Sequence, residues 1–317
     1  QPGTHEALQA FADGGGSIRI PSALCGAVGI KGTHGRVSER GAAPLCWSVA
    51  HVGPIAATVL DAARALEIMA GPDAADTTTL GQPPLELGPL LEGGVELAQG
   101  AVAGLRLGWC ERWAARADAA VLRACEEAMR RLEAAGAVRV PIDLLHLDFH
   151  APVQYLTIGV EMAASQYEHR RVHQRDYSAD TRLLLEMASQ IPAVDYLRAQ
   201  RLRTMIHDEL VRVFDQVDVL ATPAVATAAP RIPADALKAG LSDDQILEDI
   251  TAFSFAANLT GQPALALPVG YDGAGLPLSL QLLGRHWDEA TLLRTALAIE
   301  AAVERQRPEV FYQLLDR

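Results

Sequence analysis

Three consecutive glycines followed by a serine are the residues of this sequence best suited to chemistry. Gly14, Gly15 and Gly16 lead directly into Ser17. Because glycine has no Cβ, the backbone N–H groups of such a run are free to point at a bound group. A serine beside several free N–H groups suits acyl transfer, in which the hydroxyl attacks a carbonyl and the N–H groups hold the oxyanion that forms. An ordinary glycine-rich turn before a strand at residues 18–20 is the alternative interpretation.

The residues on both sides of this run, and several later blocks, follow a known pattern. They include Asp13, Ile18-Arg19-Ile20-Pro21, Cys25-Gly26, Gly29-Ile30-Lys31, Thr33, Gly35-Arg36, His51-Val52-Gly53-Pro54, Asp218-Val219-Leu220, Thr222-Pro223, Asn258-Leu259-Thr260-Gly261 and Gly275 to Arg285. In this order the blocks resemble the amidase signature family, over nearly the whole chain. The amino-acid sequences of residues 13–26 and of the segment 233–238 are most similar to those of the fatty acid amide hydrolases of plants and algae.

The resemblance implies an amide hydrolase that works through an acyl-enzyme. By its position in the motif, Ser17 is the nucleophile, and the N–H groups of the three glycines and of Ser17 itself are candidates for the oxyanion hole. Asp13 and Arg19 are assigned to orienting the loop. If residues 17–19 form a strand, Arg19 lies on the same side as Ser17. A plain salt bridge between Arg19 and Asp13 is the alternative for this pair.

The family also uses a relay serine in a cis peptide and a neutral lysine, both upstream of the nucleophile. Residues 1–16 contain neither a lysine nor a serine. The lysines of this chain are Lys31, which matches a structural lysine of the family, and Lys238. We therefore expect a chain that is truncated at its N-terminus and lacks the complete proton relay. An inactive homologue that serves as a binding or scaffold protein is the alternative.

The expected substrate is a small-molecule N-acyl amide, with fatty acid amides such as N-acylethanolamines as the leading candidates. The glutaminase-type subunit of a tRNA amidotransferase shares the same blocks and stays a second alternative. The resemblance implies that the helical segment at about 151–215 covers the active site and shapes the acyl pocket. Tyr155, Ile158 and Met162 are its candidate pocket residues, because the segment has more apolar side chains than one packing stripe needs. The alternative is that they only pack against the sheet.

Composition and charge exclude several other classes of function. Half of the 317 residues are hydrophobic and the net charge is −12, which argues against a nucleic-acid-binding surface. Two histidine pairs, His146 with His150 and His169 with His173, have the i,i+4 spacing of zinc ligands. A solvated helix face explains these pairs better. The sequence therefore predicts no metal and no cofactor.

The expected location of the protein follows from its apolar runs and its cysteines. No apolar run approaches the roughly 18 residues of a membrane span, and none of the given residues form a secretory h-region, so neither is expected within them. The cysteines are scattered along the sequence, which favours reduced thiols and therefore an intracellular protein. We expect it to be cytoplasmic, or peripherally associated with a membrane through a segment outside this chain. Homodimer formation is left open.

The elements that position these residues follow from periodicity and turn chemistry. A strand, a helix after Asp118 and a second strand alternate over residues 105–140, which predicts a mainly parallel sheet. The expected fold is therefore a mixed α/β amidase-signature fold, with that sheet covered by helices on both faces, in a single domain at 1–317. Residues 151–215 and 246–257 are predicted to be helical. Strands at 264–269 and 278–283 are predicted to form a hairpin.

Overall fold

The computed structural model of the chain describes residues 9–100, 102–232 and 242–306. Lys238 and the segment 233–238 lie outside the described residues. Within them, eight strands form a sheet in the spatial order β1-β3-β2-β7-β8-β6-β4-β5. The strands are β1 (Gln9–Ala12), β2 (Val28–Lys31), β3 (Val52–Ala56), β4 (Arg106–Trp109), β5 (Val138–Pro141), β6 (Val219–Pro223), β7 (Ala264–Tyr271) and β8 (Pro277–Gly284).

The prediction of a mixed α/β fold is confirmed, but the prediction of a mainly parallel sheet is wrong. β4 runs parallel to β5 and to β6, and every other neighbouring pair in the described sheet is antiparallel. The strand and helix alternation that favours parallel pairing is local to β4 and β5. The predicted hairpin, in contrast, reverses the chain between β7 and β8, where Asp272 accepts hydrogen bonds from the N–H groups of Ala274 and Leu276.

Twelve α-helices surround the sheet in the described part of the chain. They are α1 (Arg19–Cys25), α2 (Val59–Met69), α3 (Gly88–Gly100), α4 (Glu111–Ala114), α5 (Ala119–Ala134), α6 (His150–Ser165), α7 (Tyr167–His173), α8 (Ala179–Ser189), α9 (Ala193–Gln216), α10 (Asp244–Thr251), α11 (Phe255–Thr260) and α12 (Glu289–Glu300). The predicted helix at 246–257 is two helices, α10 and α11. Residues 151–215 are mainly helical, as predicted. None of the described helices is long and apolar enough to cross a membrane.

The core lies on both faces of the sheet because successive strand residues point to opposite sides. On β6, Val219 and Ala221 pack into a cluster with α2, α5 and α12, whereas Leu220 packs into a second cluster with α9 and α11. β8 divides in the same way, with Leu282 in the first cluster and Leu283 in the second. Helices therefore cover both faces, as the sequence predicts.

Residues 18–20, a possible strand by sequence, lead into and form the first turn of α1. The N–H of Ile20 donates to the carbonyl of Gly16 at 2.7 Å, and Gly26 ends the helix with φ of +69°. Pro21 is tolerated because N–H groups in the first turn have no partner within a helix. The β-branched isoleucines favour a strand locally, but Ile18 and Arg19 are buried by tertiary contacts that the helix satisfies. Arg19 and Ser17 are therefore not on one side of a strand.

Candidate functional site

The loop that carries the predicted nucleophile joins β1 to α1. Ser17 is exposed, whereas its neighbours Gly16 and Ile18 are buried. No hydrogen bond within the described residues engages the Ser17 hydroxyl. The hydroxyl is thus accessible to a carbonyl substrate while the backbone on either side of it is fixed by packing.

The peptide between Gly15 and Gly16 is held at both ends. Asp13 Oδ1 accepts a hydrogen bond from the N–H of Gly16 at 2.6 Å, and the Ser254 hydroxyl donates to the carbonyl of Gly15 at 2.6 Å. Gly16 has φ of +125°, and a Cβ built on it would lie 2.7 Å from the Cβ of Ser254, so only glycine fits there. The Gly16 N–H, a predicted oxyanion-hole donor, is therefore occupied by Asp13 in this conformation.

The other N–H groups of the loop are unpaired. Those of Gly14, Gly15 and Ser17 donate no hydrogen bond within the described part of the chain. The carbonyl of Gly14, in contrast, accepts a hydrogen bond from Nε2 of Gln154 at 2.5 Å. Free N–H groups on a fixed backbone are the kind of donor that stabilises a developing oxyanion.

Arg19 lies buried beneath the loop and bonds to four groups. Its Nε and Nη2 donate to the two carboxylate oxygens of Asp13 at 3.0 and 3.1 Å. Its Nη1 donates to the carbonyl of Ser254 at 2.9 Å and to Oε1 of Gln281 at 2.5 Å. Nη2 also bonds to Oδ1 of Asn258. The structure therefore contains the salt bridge to Asp13, and the same contacts tie the loop to α11 and β8.

The carboxylate of Asp13 accepts the hydrogen bonds that hold the loop in its conformation. Burial raises the pKa of this carboxyl, but the charge of Arg19 and its hydrogen bonds outweigh burial and lower the pKa to about 2. The ionised carboxylate accepts from the N–H groups of Gly16 and Ile18, at 2.6 and 3.3 Å. A backbone turn rich in glycine, which has many accessible conformations, is thereby restricted to one.

Two further polar residues complete this network, and sequence reasoning gave them no role. Nδ2 of Asn258 donates to the carbonyls of Asp13 and Val49, at 2.9 and 3.0 Å. Nε2 of Gln281 donates to the carbonyl of Phe253 at 2.8 Å. Both are fully buried. A polar residue inside an apolar run is the signal that could have found them. Such a residue is expected to be buried, and buried polar side chains form hydrogen bonds.

Lys31 is buried behind the loop and does not contact Ser17. Its Nζ donates to the carbonyl of Gln262 at 2.5 Å and lies 3.1 Å from Nε2 of His51, whose Nδ1 is 2.9 Å from the carbonyl of Val49. Burial first, and then the nearby charge of Arg19, lower the pKa of Lys31 well below its ordinary value. The backbone of His51 pairs with Asp13 in both directions, so Lys31 supports the segment against which the loop packs.

The three predicted pocket residues lie along α6 and have different surroundings. The ring of Tyr155 packs edge-on against Phe255, and its hydroxyl lies 3.1 Å from Oγ1 of Thr251. Ile158 approaches the loop, since a Cβ built on Gly15 would lie 3.1 Å from its Cδ1. Met162 packs instead into the cluster between α6 and α8. The structure thus brings Ile158 to the loop directly, and Tyr155 through Phe255, but not Met162.

A cavity of about 760 Å³ adjoins this part of α6. Phe255, which lines it, also lies beside the loop, because a Cβ built on Gly15 would come within 3.2 Å of its ring. The cavity has aromatic, apolar and charged walls. Its lining includes Arg116, Asp148, His150, Ala151, Tyr155, Ala226, Asp244, Leu247, Glu248, Thr251, Ala252 and Phe255.

The face of α6 that is most deeply buried is polar. Gln154, Thr157 and Glu161 are at most 1% exposed and follow one another at helical spacing. Glu161 accepts hydrogen bonds from the N–H and hydroxyl of Ser48, and from the hydroxyl of Tyr196 at 2.9 Å. Sequence reasoning assigned pocket roles on this helix to Tyr155, Ile158 and Met162 and gave its buried polar face no role. The i, i+3, i+7 spacing of polar residues among apolar ones was the signal that could have found this face.

The two histidine pairs differ in burial. His169 and His173 are exposed and stacked, and Nδ1 of His173 lies 3.0 Å from Asp176. His150 is buried, and burial lowers its pKa to about 3. Within residues 9–306, excluding the undescribed positions, no group of three or more His, Cys, Asp or Glu side chains could hold a metal ion.

The sequence of this chain is similar to a family model and to several known proteins. The family model described as Amidase matches residues 10–293. A fatty acid amide hydrolase of Oryza sativa subsp. indica is 36% identical over 96% of this chain and 50% of its own length. The A subunit of the glutamyl-tRNA(Gln) amidotransferase of Acidobacterium capsulatum is 33% identical over 91% of this chain and 63% of its own. The chain thus spans about half the length of the plant relative.

Solved structures agree with these relatives. A bacterial aryl acylamidase of the amidase signature family superimposes with a TM-score of 0.79 and 25% identity, over 93% of this chain and 62% of that one. The blocks around Ser17 thus lie within a segment that the known proteins share.

Proposed function

Because the chain belongs to the amidase signature family, we propose that it carries the nucleophile of a serine-dependent amide hydrolase. In this proposal the Ser17 oxygen bonds to the acyl carbon, the amide C–N bond breaks, and the amine leaves with a proton. Water then cleaves the resulting ester and restores the hydroxyl. The N–H groups of Gly14, Gly15 and Ser17 hold the oxyanion in both steps.

The observation that carries this proposal is the exposed Ser17 at the end of a loop whose backbone is held from beneath. The buried pair of Asp13 and Arg19 fixes the loop without occupying the free N–H groups. Donors that are already in place need no reorganisation when charge develops on the substrate oxygen. No lysine or histidine among the described residues forms a hydrogen bond with Ser17, so the proposal includes a lysine base upstream of residue 1, as the family resemblance implies.

We propose an N-acyl amide as the substrate, with a fatty acyl group as the preferred case. Ile158 and Phe255 lie beside Gly15, and Phe255 and Tyr155 form an aromatic part of the wall of the adjoining cavity of about 760 Å³, whose other walls are partly charged. Burial of each methylene contributes about 0.8 kcal/mol, so an acyl chain along such apolar side chains gains binding energy with length. The similarity to plant fatty acid amide hydrolases supports the same substrate class.

Glutamine hydrolysis is a second candidate, because glutamyl-tRNA(Gln) amidotransferase A subunits are 33–34% identical to this chain. A glutaminase needs to recognise a short polar side chain and not an apolar one. The two candidates therefore differ in how the rate depends on acyl length. A binding or scaffold role without catalysis is distinguished from both by the reactivity of Ser17.

The test is performed on the full-length gene product, with Ser17→Ala and the distant Ser189→Ala as a matched control. Labelling by a fluorophosphonate probe and hydrolysis of amides are measured. We expect labelling and turnover of the parent and of Ser189→Ala, and a loss of several orders of magnitude in Ser17→Ala. Equal labelling of Ser17→Ala and the parent contradicts the nucleophile assignment.

The substrate class is tested in the same preparation with acylethanolamides of two, eight and sixteen carbons and with glutamine. A kcat/KM that rises with chain length supports the fatty acyl substrate. Preference for the shortest chain leaves a general amidase, and preference for glutamine favours the glutaminase. Absence of turnover in the parent, together with an unlabelled Ser17, supports the non-catalytic role.

A further inference from the structure

Gln154 of α6 is the side chain that reaches the glycine loop from the helical layer. It is fully buried, and its Nε2 donates to the carbonyl of Gly14 at 2.5 Å. The two residues are 140 positions apart in the sequence. This hydrogen bond therefore links the loop before Ser17 to the helical layer that packs against it.

The hydrogen bond fixes the direction of a donor. The carbonyl of Gly14 and the N–H of Gly15 belong to one planar peptide, and no cis peptide bond occurs among the described residues. In a trans peptide these two groups point in opposite directions. When Gln154 holds the carbonyl, it also aims the Gly15 N–H, which is unpaired in the described part of the chain. Without that bond, a peptide between two glycines would rotate with little steric resistance.

The adjacent peptide shows why this role falls to Gln154. Ser254 holds the carbonyl of Gly15 in the same way, but the N–H of that peptide, on Gly16, already donates to Asp13. The Gly14–Gly15 peptide is instead held at its carbonyl and leaves its N–H available. Of the two side chains, Gln154 is therefore the one whose hydrogen bond directs a free donor.

The other end of the Gln154 amide is less favourably placed. Its Oε1 is buried and has no hydrogen-bond partner among the described residues. A buried unsatisfied oxygen lowers stability, and an apolar side chain of the same shape would avoid this. Such an apolar side chain would, however, lose the hydrogen bond to the carbonyl of Gly14, which the Nε2 end of the amide supplies.

We propose that Gln154 is a positioning residue that aims the Gly15 N–H at the oxyanion formed during amide hydrolysis. This inference rests on the proposed function of Ser17. It assigns to α6 a part in transition-state stabilisation, in addition to packing against the loop. Because the oxyanion exists only after attack, the effect of Gln154 belongs to kcat and not to ground-state binding.

The test compares Gln154→Met with Gln200→Met in the full-length gene product. Methionine is unbranched and similar in length to glutamine but has no N–H donor. Gln200, on α9, donates to Thr157 of α6 and does not touch the loop, so its variant controls for loss of a glutamine hydrogen bond in the same layer. Thermal unfolding verifies that both variants are folded.

We expect Gln154→Met to lower kcat about tenfold to a hundredfold with little change in KM, less than direct loss of an oxyanion donor. Its affinity for a trifluoromethyl ketone, which forms an oxyanion adduct with serine, should fall by a similar factor. Affinity for a non-reactive alcohol analogue of the substrate should not change. Gln200→Met should resemble the parent in all three measurements. An unchanged kcat, or equal weakening of ketone and alcohol, overturns the proposal.

A second measurement does not depend on turnover. In protein labelled with ¹⁵N-glycine, Gln154→Met should shift the Gly15 amide resonance and speed its exchange with solvent, and Gln200→Met should not. An unchanged Gly15 resonance overturns the proposal even if the parent is an active hydrolase. If the parent hydrolyses no amide but the Gly15 resonance shifts, the proposed function fails and the positioning of Gly15 by Gln154 is still supported.

Discussion

Two arginine–carboxylate pairs in the described part of this molecule are fully buried, and they have different surroundings. Arg19 bonds to Asp13 and Arg36 bonds to Glu289, each with a closest distance of 3.0 Å. The first pair lies beneath the loop that ends at Ser17. The second joins the segment after β2 to the start of α12. The chemistry of the two pairs is nearly the same, so their roles depend on the backbone that each one holds.

The backbone groups around each pair show this difference. Asp13 accepts from the N–H of Gly16 on the glycine loop. Glu289 accepts from the N–H of Thr33, and Arg36 donates to the carbonyl of Pro83 and lies 4.7 Å from the ring centre of Trp287. The Arg36 pair therefore fastens secondary-structure elements, whereas the Arg19 pair also determines which N–H groups of the loop are free. A buried ion pair is thus not a functional site by itself.

Arg19→Met is expected to have the largest effect, because it removes both support of the loop and the partner of a buried charge. Breaking a buried pair lowers the free energy of unfolding by about 3–5 kcal/mol. Misplaced donors should also lower kcat by about a hundredfold or more, as loss of an oxyanion donor does. Urea unfolding and kinetics at a temperature where the variant is folded separate the two effects. A variant that keeps parental kcat contradicts the positioning role.

Arg36→Met is expected to destabilise the protein as much as Arg19→Met, by about 3–5 kcal/mol, since Glu289 is left buried without its partner. Its kcat should stay within about threefold of the parent, because no atom of the pair touches the glycine loop. The two variants are compared at equal fractions of folded protein. A loss of kcat similar to that of Arg19→Met would show that the two pairs do not differ in role.

The smallest expected effect is a dependence of the unfolding free energy on pH that comes from the lowered pKa of Asp13. The pKa of Asp13 is lowered from 3.8 to about 2, so its stabilisation is present above pH 3.8 and is lost as the pH falls through 2. Its magnitude is about 2 kcal/mol. The measurement is the difference in unfolding free energy between the parent and Asp13→Asn from pH 5 to pH 2. A difference that does not shrink toward low pH contradicts the lowered pKa.

Local sequence signals predicted several elements well. The helix predicted after Asp118 is α5, which begins at Ala119. The turn from Asp272 to Gly275 produced the predicted hairpin. At residues 18–20 the isoleucines favour a strand, which the sequence left open as an alternative, but the structure forms α1 there. Prediction was wrong for the sheet, since the direction of pairing depends on strands far apart in the chain.

For the candidate site, the sequence determined the identity of the chemical groups. The glycine run, Ser17, Asp13 and Arg19 are close together in the chain, so their proximity follows from covalent connection alone. The family resemblance rests on the same local blocks, and the family model confirms it over residues 10–293. The order of residues along the chain was therefore enough to indicate which groups could take part.

Only the tertiary structure decided which of those groups are free to act. Gln154 and Ser254 reach the loop from 140 and 239 positions away, and no local pattern specifies such contacts. They and Asp13 determine that the N–H of Gly16 is occupied and that those of Gly14, Gly15 and Ser17 are unpaired in the described residues. The physical reason is that a glycine peptide has almost no conformational preference of its own, so its direction is imposed by side chains that folding brings to it.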